Sequence, residues 1–433
     1  MSKQNIISVI DIGTDKVVTL VADISEGPSQ IRVMGVSSVH SKGIRKSQIV
    51  DLNSASEAIT ESVDAAERMA GMNIRQAYVS IGGQHIQSLN SKGVVAVAQP
   101  SQEITPDDVL RVIDAAKAVS LPSGKEIIHV IPKNYKVDSQ DGIKDPVGMS
   151  GIRLETEAHI VTASVTALKN VEKCMNELGI TVNEFVFSGL AASEVVVTET
   201  EKELGVVVVD IGAGTTSMCI FVEGSLEFSG VLPIGARHIT QDIALGCRVS
   251  LESAEKIKIA LGTLPPSRTV LPGETKDDAR RRKKTEDTID AQTLGIMEPI
   301  DTFSRKTLLE GIMVPRMKEM FEFIGQEIEK HQLFSKIPAG VVLAGGGADT
   351  VEIVEVCRHT LQLPTRVGTP TGFLGLIDEV EKPAFAASLG LLKYAASKAV
   401  FQSAPKQGFS LPSLESLTEV PKKIVLLIKS LLP

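Results

Sequence analysis

Apolar residues fall along the chain in two rhythms. Short unbroken runs bounded by Gly, Asp or Ser mark buried strands: 6–12 and 17–24, joined at Gly13-Thr14, then "AYVSIGG" (77–83), "EAHIVTAS", "VVVVDI" and "AGVVLA". Apolar residues three and four apart mark helices. They predict an amphipathic helix over 55–72, one opened by Thr105 and Pro106, and "VTALKNVEKCMNELGI" ended by Gly179. Further helices are predicted over 251–262, along "RKTLLEGIMVPRMKEMFEFIGQEIEKH" with a kink or interruption near Pro315, and along "PAFAASLGLLKYAAS" with small residues on one face. Between about 84 and 160 the texture changes to short strands around one helix, which reads as an inserted α+β module. Residues 263–304 are weakly patterned. Residues 398–416 read as a Ser/Pro/Gln-rich linker, and 417–433 return to helical spacing.

One sentence is written twice. "ISVIDIGTDKVVTLV" and "VVVVDIGAGTTSMCIF" each place Asp-Ile-Gly and small hydroxyl residues between two apolar runs, about 200 residues apart. A strand–Asp–x–Gly–x–strand hairpin suits phosphate. Its Gly allows a tight turn with backbone N–H groups near phosphate oxygens, and a Thr or Ser adds a donor. The strand-end Asp can reach Mg²⁺, which keeps much of its water shell. One such hairpin is an ordinary turn; two facing each other would clamp a polyphosphate between similar domains. The candidate phosphate residues are Gly13, Thr14, Asp15 and Lys16, with Gly212, Ala213, Gly214, Thr215 and Thr216, and Asp11 and Asp210 are the candidate metal ligands. A third glycine turn, Gly345-Gly346-Gly347-Ala348, suits the adenosine end of a nucleotide. There is no P-loop motif.

Composition narrows the partners. The chain has 433 residues, 43% hydrophobic and 23% charged, which suits a globular protein of two to four domains. It has no Trp, few other aromatics and a net charge of −8, which argues against nucleic acid. Cys174, Cys219, Cys247 and Cys357 are widely spaced and read as small buried hydrophobes in a reducing compartment. No signal peptide is expected before the first strand, and no apolar run approaches the roughly 18 residues of a bilayer span.

The order hairpin, insert, helix, hairpin, helix, Gly-Gly-Gly turn, helix resembles the actin-like ATPase superfamily. "FSGLAASEVV" and "PAFAASLGLLKY" are similar to its two connecting helices, and "VVLAGGGADTVEI" to its adenosine loop. "SAEKIK" resembles the helix that holds the ribose, which assigns Glu255 and Lys258; taken alone, that pair is an ordinary exposed helix ion pair. Within the superfamily, "EKELGVVVVDIGAGT", "SGLAASEVVVTE", "RKTLLEGIMVPR" and the insert after "YVSIGG" resemble the FtsA family of bacterial cell division. The fold implied is α/β, a duplicated ribonuclease-H-like actin fold with a cleft between two large domains. The resemblance divides the chain into domain IA (1–83, 161–195 and 384–397), inserted subdomain IC (84–160), domain IIA (196–239 and 305–383) and subdomain IIB (240–304), before the linker and terminal helix.

The same resemblance implies ATP and Mg²⁺ in the cleft, self-association into filaments, and binding of the C-terminal peptide of tubulin-like FtsZ at 240–304. It places the protein on the cytoplasmic face of the membrane at the division site, with subdomain IC open to other division proteins. The charge run 279–287 inside 240–304 reads as a solvated face rather than a peptide contact. Ser188 and Gly189 stand where related ATPases carry a Glu or Gln to position water, so slow or negligible turnover is expected, and no residue is assigned as catalytic.

On a helix, Leu417, Val420, Ile424, Leu427, Ile428 and Leu431 form one apolar stripe, with Lys422, Lys423 and Lys429 facing away. Such a segment suits the membrane interface, although it has no aromatic anchor and could instead dock on its own domain. Two other readings remain: a pilus-assembly scaffold of the PilM type, which would lack the lysine-bearing end, and a small-molecule kinase, which would need a carboxylate and a sugar pocket in the cleft.

Overall fold

The computed structural model describes residues 5–28, 30–98, 103–263, 287–376 and 380–403. Both Asp-Ile-Gly stretches are antiparallel hairpins. Ile6–Ile12 pairs with Lys16–Asp23, and Val206–Ile211 with Thr216–Val222. The two turns close alike. The Gly13 N–H donates to the Lys16 carbonyl at 3.0 Å, and the Gly212 N–H to the Thr215 carbonyl at 2.9 Å. The strands are nearly continuous in Val and Ile because both faces of each sheet are covered.

The duplication extends well beyond the turns. In the first half the sheet order is Thr181–Phe187, Gln76–Ile81, Ile6–Ile12, Lys16–Asp23, Ile31–His40, with Phe373–Gly375 added at the edge. In the second half it is Thr365–Val367, Val341–Ala344, Val206–Ile211, Thr216–Val222, Ser225–Leu232. Each half therefore has three antiparallel strands, then two parallel strands reached through helices. The first hairpin strand lies at the centre, and its Asp emerges where the chain turns. In the first half the crossover helix is Leu52–Ala70, capped by the Asp51 side chain on the N–H groups of Asn53 and Ser54.

The insert has its own four-stranded sheet, ordered Gln87–Ala96, Arg153–Ser164, Lys125–Val137, Gln140–Ile143. Helix Pro106–Lys117 starts at Thr105 with a full capping box to Asp108. A separate small core forms from Ile104, Val112, Tyr135, Val137, Ile143 and Leu154.

Two details depart from the sequence pattern. Around Pro315 the interruption of the long helix takes a particular form: Leu309–Met313 widen into a π turn, and the α segment Val314–Lys330 follows with Pro315 in its first turn. The wide turn accommodates the proline, which lacks the N–H that a regular helix would use there. The last helix, Ala386–Ser403, takes in Lys398–Ser403, which the composition had placed in a linker. Its small face has a purpose: a Cβ at Gly390 would lie 1.7 Å from the carbonyl of Ala191 on helix Ser188–Val196, so only glycine permits this crossing. The remaining linker, the tail 417–433 and most of the charge run 279–287 lie outside the described residues. Among the described residues no helix is long and apolar enough to cross a membrane.

Candidate functional site

A cavity of about 710 Å³ separates the two hairpins. Asp11, Gly13, Thr14, Asp15 and Lys16 line one side, and Asp210, Gly212, Ala213 and Thr215 the other. Gly345, Gly346 and Gly347 line it as well, as do Glu255 and Lys258. Three sequence candidates do not. Gly214 is turned to the Thr14 side chain, 3.0 Å from where its Cβ would stand. Thr216 is fully buried and donates to the Ile234 carbonyl at 2.7 Å. Ala348 is buried behind the glycine turn.

The strand-end carboxylates sit at the cavity floor. Asp11 is held by two hydroxyls, Ser80 at 2.6 Å and Ser388 at 2.7 Å. These come from the neighbouring parallel strand and the last helix, which fix both of its oxygens. Asp210 is pushed up to about 7 by burial and, second, by the Asp11 carboxylate. Gly345 leaves room for it: at φ +78°, a Cβ there would lie 2.4 Å from Asp210 Oδ1. Two carboxylates at the strand ends, beside a hydroxyl-lined space, fit a hard divalent cation. That matches Mg²⁺, which is usually held by one or two carboxylates plus phosphate and water.

Lys16 lines the cavity beside the first turn and packs against an aromatic ring. Its ammonium lies 3.3 Å from the centre of the Phe385 ring. Burial pushes its pKa down, against the raising influence of Asp11, Asp15 and Asp349. It thus provides a cation directed along the cavity rather than into solvent. On the far wall, Glu255 accepts from Thr240 at 2.6 Å and from Lys258 at 2.8 Å, and Lys258 also donates to Thr240 at 3.0 Å. The pair is therefore more than a surface charge pair: it is a fixed polar group on the cavity wall.

Several site residues carried no sequence signal. Ser80 and Ser388 reach Asp11 from far along the chain. Arg237 lines the cavity and pairs with Asp15 across it at 3.6 Å. Its one clue is Gly235, where helix Ala236–Cys247 begins against the phosphate turn: the N–H groups of Ala236 and Arg237 donate to the carbonyls of Gly212 and Ala213, each at 2.9 Å.

Comparison with known proteins follows this geometry. Residues 83–162 match the family "SHS2 domain inserted in FTSA", and residues 207–390 match "Cell division protein FtsA". The chain is 38% identical over 393 residues to the cell division protein FtsA of Pseudomonas aeruginosa, covering 90% of this chain and 89% of that protein. Among solved structures it resembles a PilM–PilN type IV pilus biogenesis complex, with a TM-score of 0.60, 14% identity and coverage of 90% and 98%. It also resembles MreB5 of Spiroplasma citri bound to AMPPNP, with a TM-score of 0.52, 13% identity and coverage of 92% and 98%. These two likenesses identify the fold as that of the actin-like ATPases.

Proposed function

The chain belongs to the FtsA family of cell division proteins, and from that premise we propose that it binds MgATP between its two hairpins, assembles into filaments and tethers FtsZ polymers to the cytoplasmic face of the membrane at the division site. The observation that carries the nucleotide reading is the pair of glycine-closed turns facing one cavity, with Asp11 and Asp210 at its floor. Backbone N–H groups of both turns would cradle the phosphates. Asp11 and Asp210 would hold Mg²⁺, whose charge would offset that of the phosphates. Lys16 and Arg237 add fixed positive charge, and Glu255 with Lys258 would receive the ribose hydroxyls. Calorimetric titration of ATP with and without Mg²⁺ tests this: saturable, Mg²⁺-dependent binding is expected, and no binding overturns it.

Turnover is expected to be slow. A side chain at Gly189 would place its Cβ 2.8 Å from the Phe187 ring and 2.9 Å from Ser217 Cβ, so the position admits no water-positioning group without repacking. Binding, rather than hydrolysis, would set the filament-forming state. An FtsZ C-terminal peptide is assigned to residues 240–304 by family membership, next to an open pocket of about 370 Å³ lined by Asp242, Leu245, Ile312 and Arg316. The lysine-bearing tail favours a membrane tether over a pilus scaffold of the same fold.

A further inference from the structure

The small hairpin of Ile44–Arg45 and Gln48–Ile49 belongs to neither phosphate motif, yet its turn stands between them. Lys46 and Ser47 both have left-handed backbone, with φ of +49° and +56°. Two-residue hairpin turns of this kind normally use Asn-Gly, because other L residues populate that region sparsely. The strained turn is held by its surroundings. The Ser47 N–H donates to Thr14 Oγ1 at 2.8 Å. A Cβ on Gly214 would stand 3.2 Å from Lys46 Cα, and one on Gly82 would stand 3.3 Å from Ser47 Cβ, so the chain is packed closely on both sides of the turn.

The Ser47 hydroxyl points into the cleft. It lies 3.0 Å from Thr215 Oγ1 and 3.5 Å from Thr14 Oγ1, and it lines the same cavity as Asp11, Lys16 and Asp210. It therefore joins the hydroxyl donors of the two phosphate turns, one from each half of the molecule. A phosphate lodged between the hairpins must compete for those donors. Only a nucleotide whose chain reaches the line from Thr14 to Thr215 has to break this bridge, and it gains the Ser47 hydroxyl as a new donor when it does.

We propose that Ser47 is a third phosphate contact, which reads the terminal phosphate of a nucleoside triphosphate and so sets the preference for triphosphate over diphosphate. With a diphosphate, the Ser47–Thr215 bridge stays closed. With a triphosphate, the Ser47, Thr14 and Thr215 hydroxyls turn to the terminal phosphate, and the turn couples nucleotide state to the relation between the two halves. The proposal rests on the nucleotide reading above.

The test is calorimetric titration of the full chain with ADP and with AMPPNP, both with Mg²⁺, for wild type, Ser47→Ala and Ser47→Gly. Glycine relieves the left-handed strain, so that variant keeps the turn where alanine could disturb it. Wild type is expected to prefer AMPPNP. Each variant is expected to lose about 10-fold in AMPPNP affinity, the scale of one hydrogen bond to a charged oxygen, with ADP affinity unchanged. Equal losses for both nucleotides, no loss for either, or a Ser47→Gly variant that keeps the wild-type preference would each overturn the role of the hydroxyl. If wild type binds neither nucleotide, the nucleotide reading itself falls and this proposal goes with it; if wild type binds both equally, only this proposal falls.

Discussion

His159, on the inserted sheet, and Ser229, on the edge strand of the second half, share a hydrogen bond of 2.8 Å. The other ring nitrogen lies 2.7 Å from Asn90 Oδ1, which can only accept, so Nδ1 carries the proton and Nε2 accepts from the Ser229 hydroxyl. Beside them Ser88 donates to the Ser229 carbonyl at 2.6 Å, and Lys133 bridges Glu157 at 2.9 Å and Glu227 at 2.7 Å. The insert is thus more than an appendage of the first half. It bears on Ser225–Leu232, which pairs with the strand leaving the second phosphate turn.

This contact predicts acid sensitivity. His159 is 1% exposed, and burial, followed by the charge of Lys133 and by His129, pushes it down to about 3. A histidine depressed in the folded state binds fewer protons there than in the unfolded chain, so stability falls as pH drops below the ordinary value of about 6.5. At pH 5 the cost is about 2 kcal/mol. Melting curves at pH 5 and pH 7.5 should show this loss in wild type and a smaller one in His159→Gln. An equal loss in both would place the acid-sensitive group elsewhere.

Asp210 leads to the opposite sign. A carboxyl raised by burial and by Asp11 is destabilising when ionised, and that cost grows as pH rises from the ordinary carboxylate range through about 7. Asp210→Asn should therefore melt higher than wild type at pH 8 without metal, with little difference at pH 4. The same variant should lose the Mg²⁺-dependent part of ATP binding. A variant that melts lower and still binds MgATP normally would overturn the paired-carboxylate account.

Glu255 and Lys258 predict a different selectivity from that of the phosphate turns. Their wall lies across the cavity, so Lys258→Ala should weaken ATP and ADP by the same factor, about 10-fold for one hydrogen bond from a charged donor. Competition against a labelled nucleotide measures both. A loss confined to ATP would move this pair to the phosphate end.

Local pattern carried much of the fold. Strands buried on both faces are unbroken apolar runs, and Thr105 caps its helix through contacts within three residues of itself. The repeated Asp-Ile-Gly motif announced two similar halves. Relations made by folding alone were not legible. Ser80 and Ser388 are unremarkable in sequence, and nothing local says that both reach Asp11. Ser47 sits in an ordinary polar stretch, and its bridge to Thr215 spans both halves. Near Pro315 the pattern gave the interruption but not its form, because a single wide turn is too short to register as a change of apolar period.

The tail rests on sequence alone and is the most direct test of the tether. On the helix that the sequence predicts, Ile424 and Leu427 would lie one turn apart at the centre of the stripe, and the segment carries three lysines against one glutamate. Burying each branched side chain fully is worth roughly 1.5–3 kcal/mol, and less at an interface. Each lysine adds at most about 1 kcal/mol of attraction to anionic lipid, screened by salt. Replacing Ile424 and Leu427 with Asp removes the apolar gain and brings charge to the acyl boundary, so liposome binding should be lost at any salt. Replacing Lys422, Lys423 and Lys429 with Gln should weaken binding to anionic vesicles at low salt and leave the remaining apolar binding nearly independent of salt. Val420, Ile428 and Leu431 should behave like the central pair, with smaller single effects. If the protein assembles as proposed, a filament would present many tails together, and a weak single anchor would then suffice. Sedimentation with vesicles measures all of these, with ATP affinity as the control for folding. A double mutant that still pellets with vesicles would place the membrane contact outside this stripe and overturn the tail as the tether.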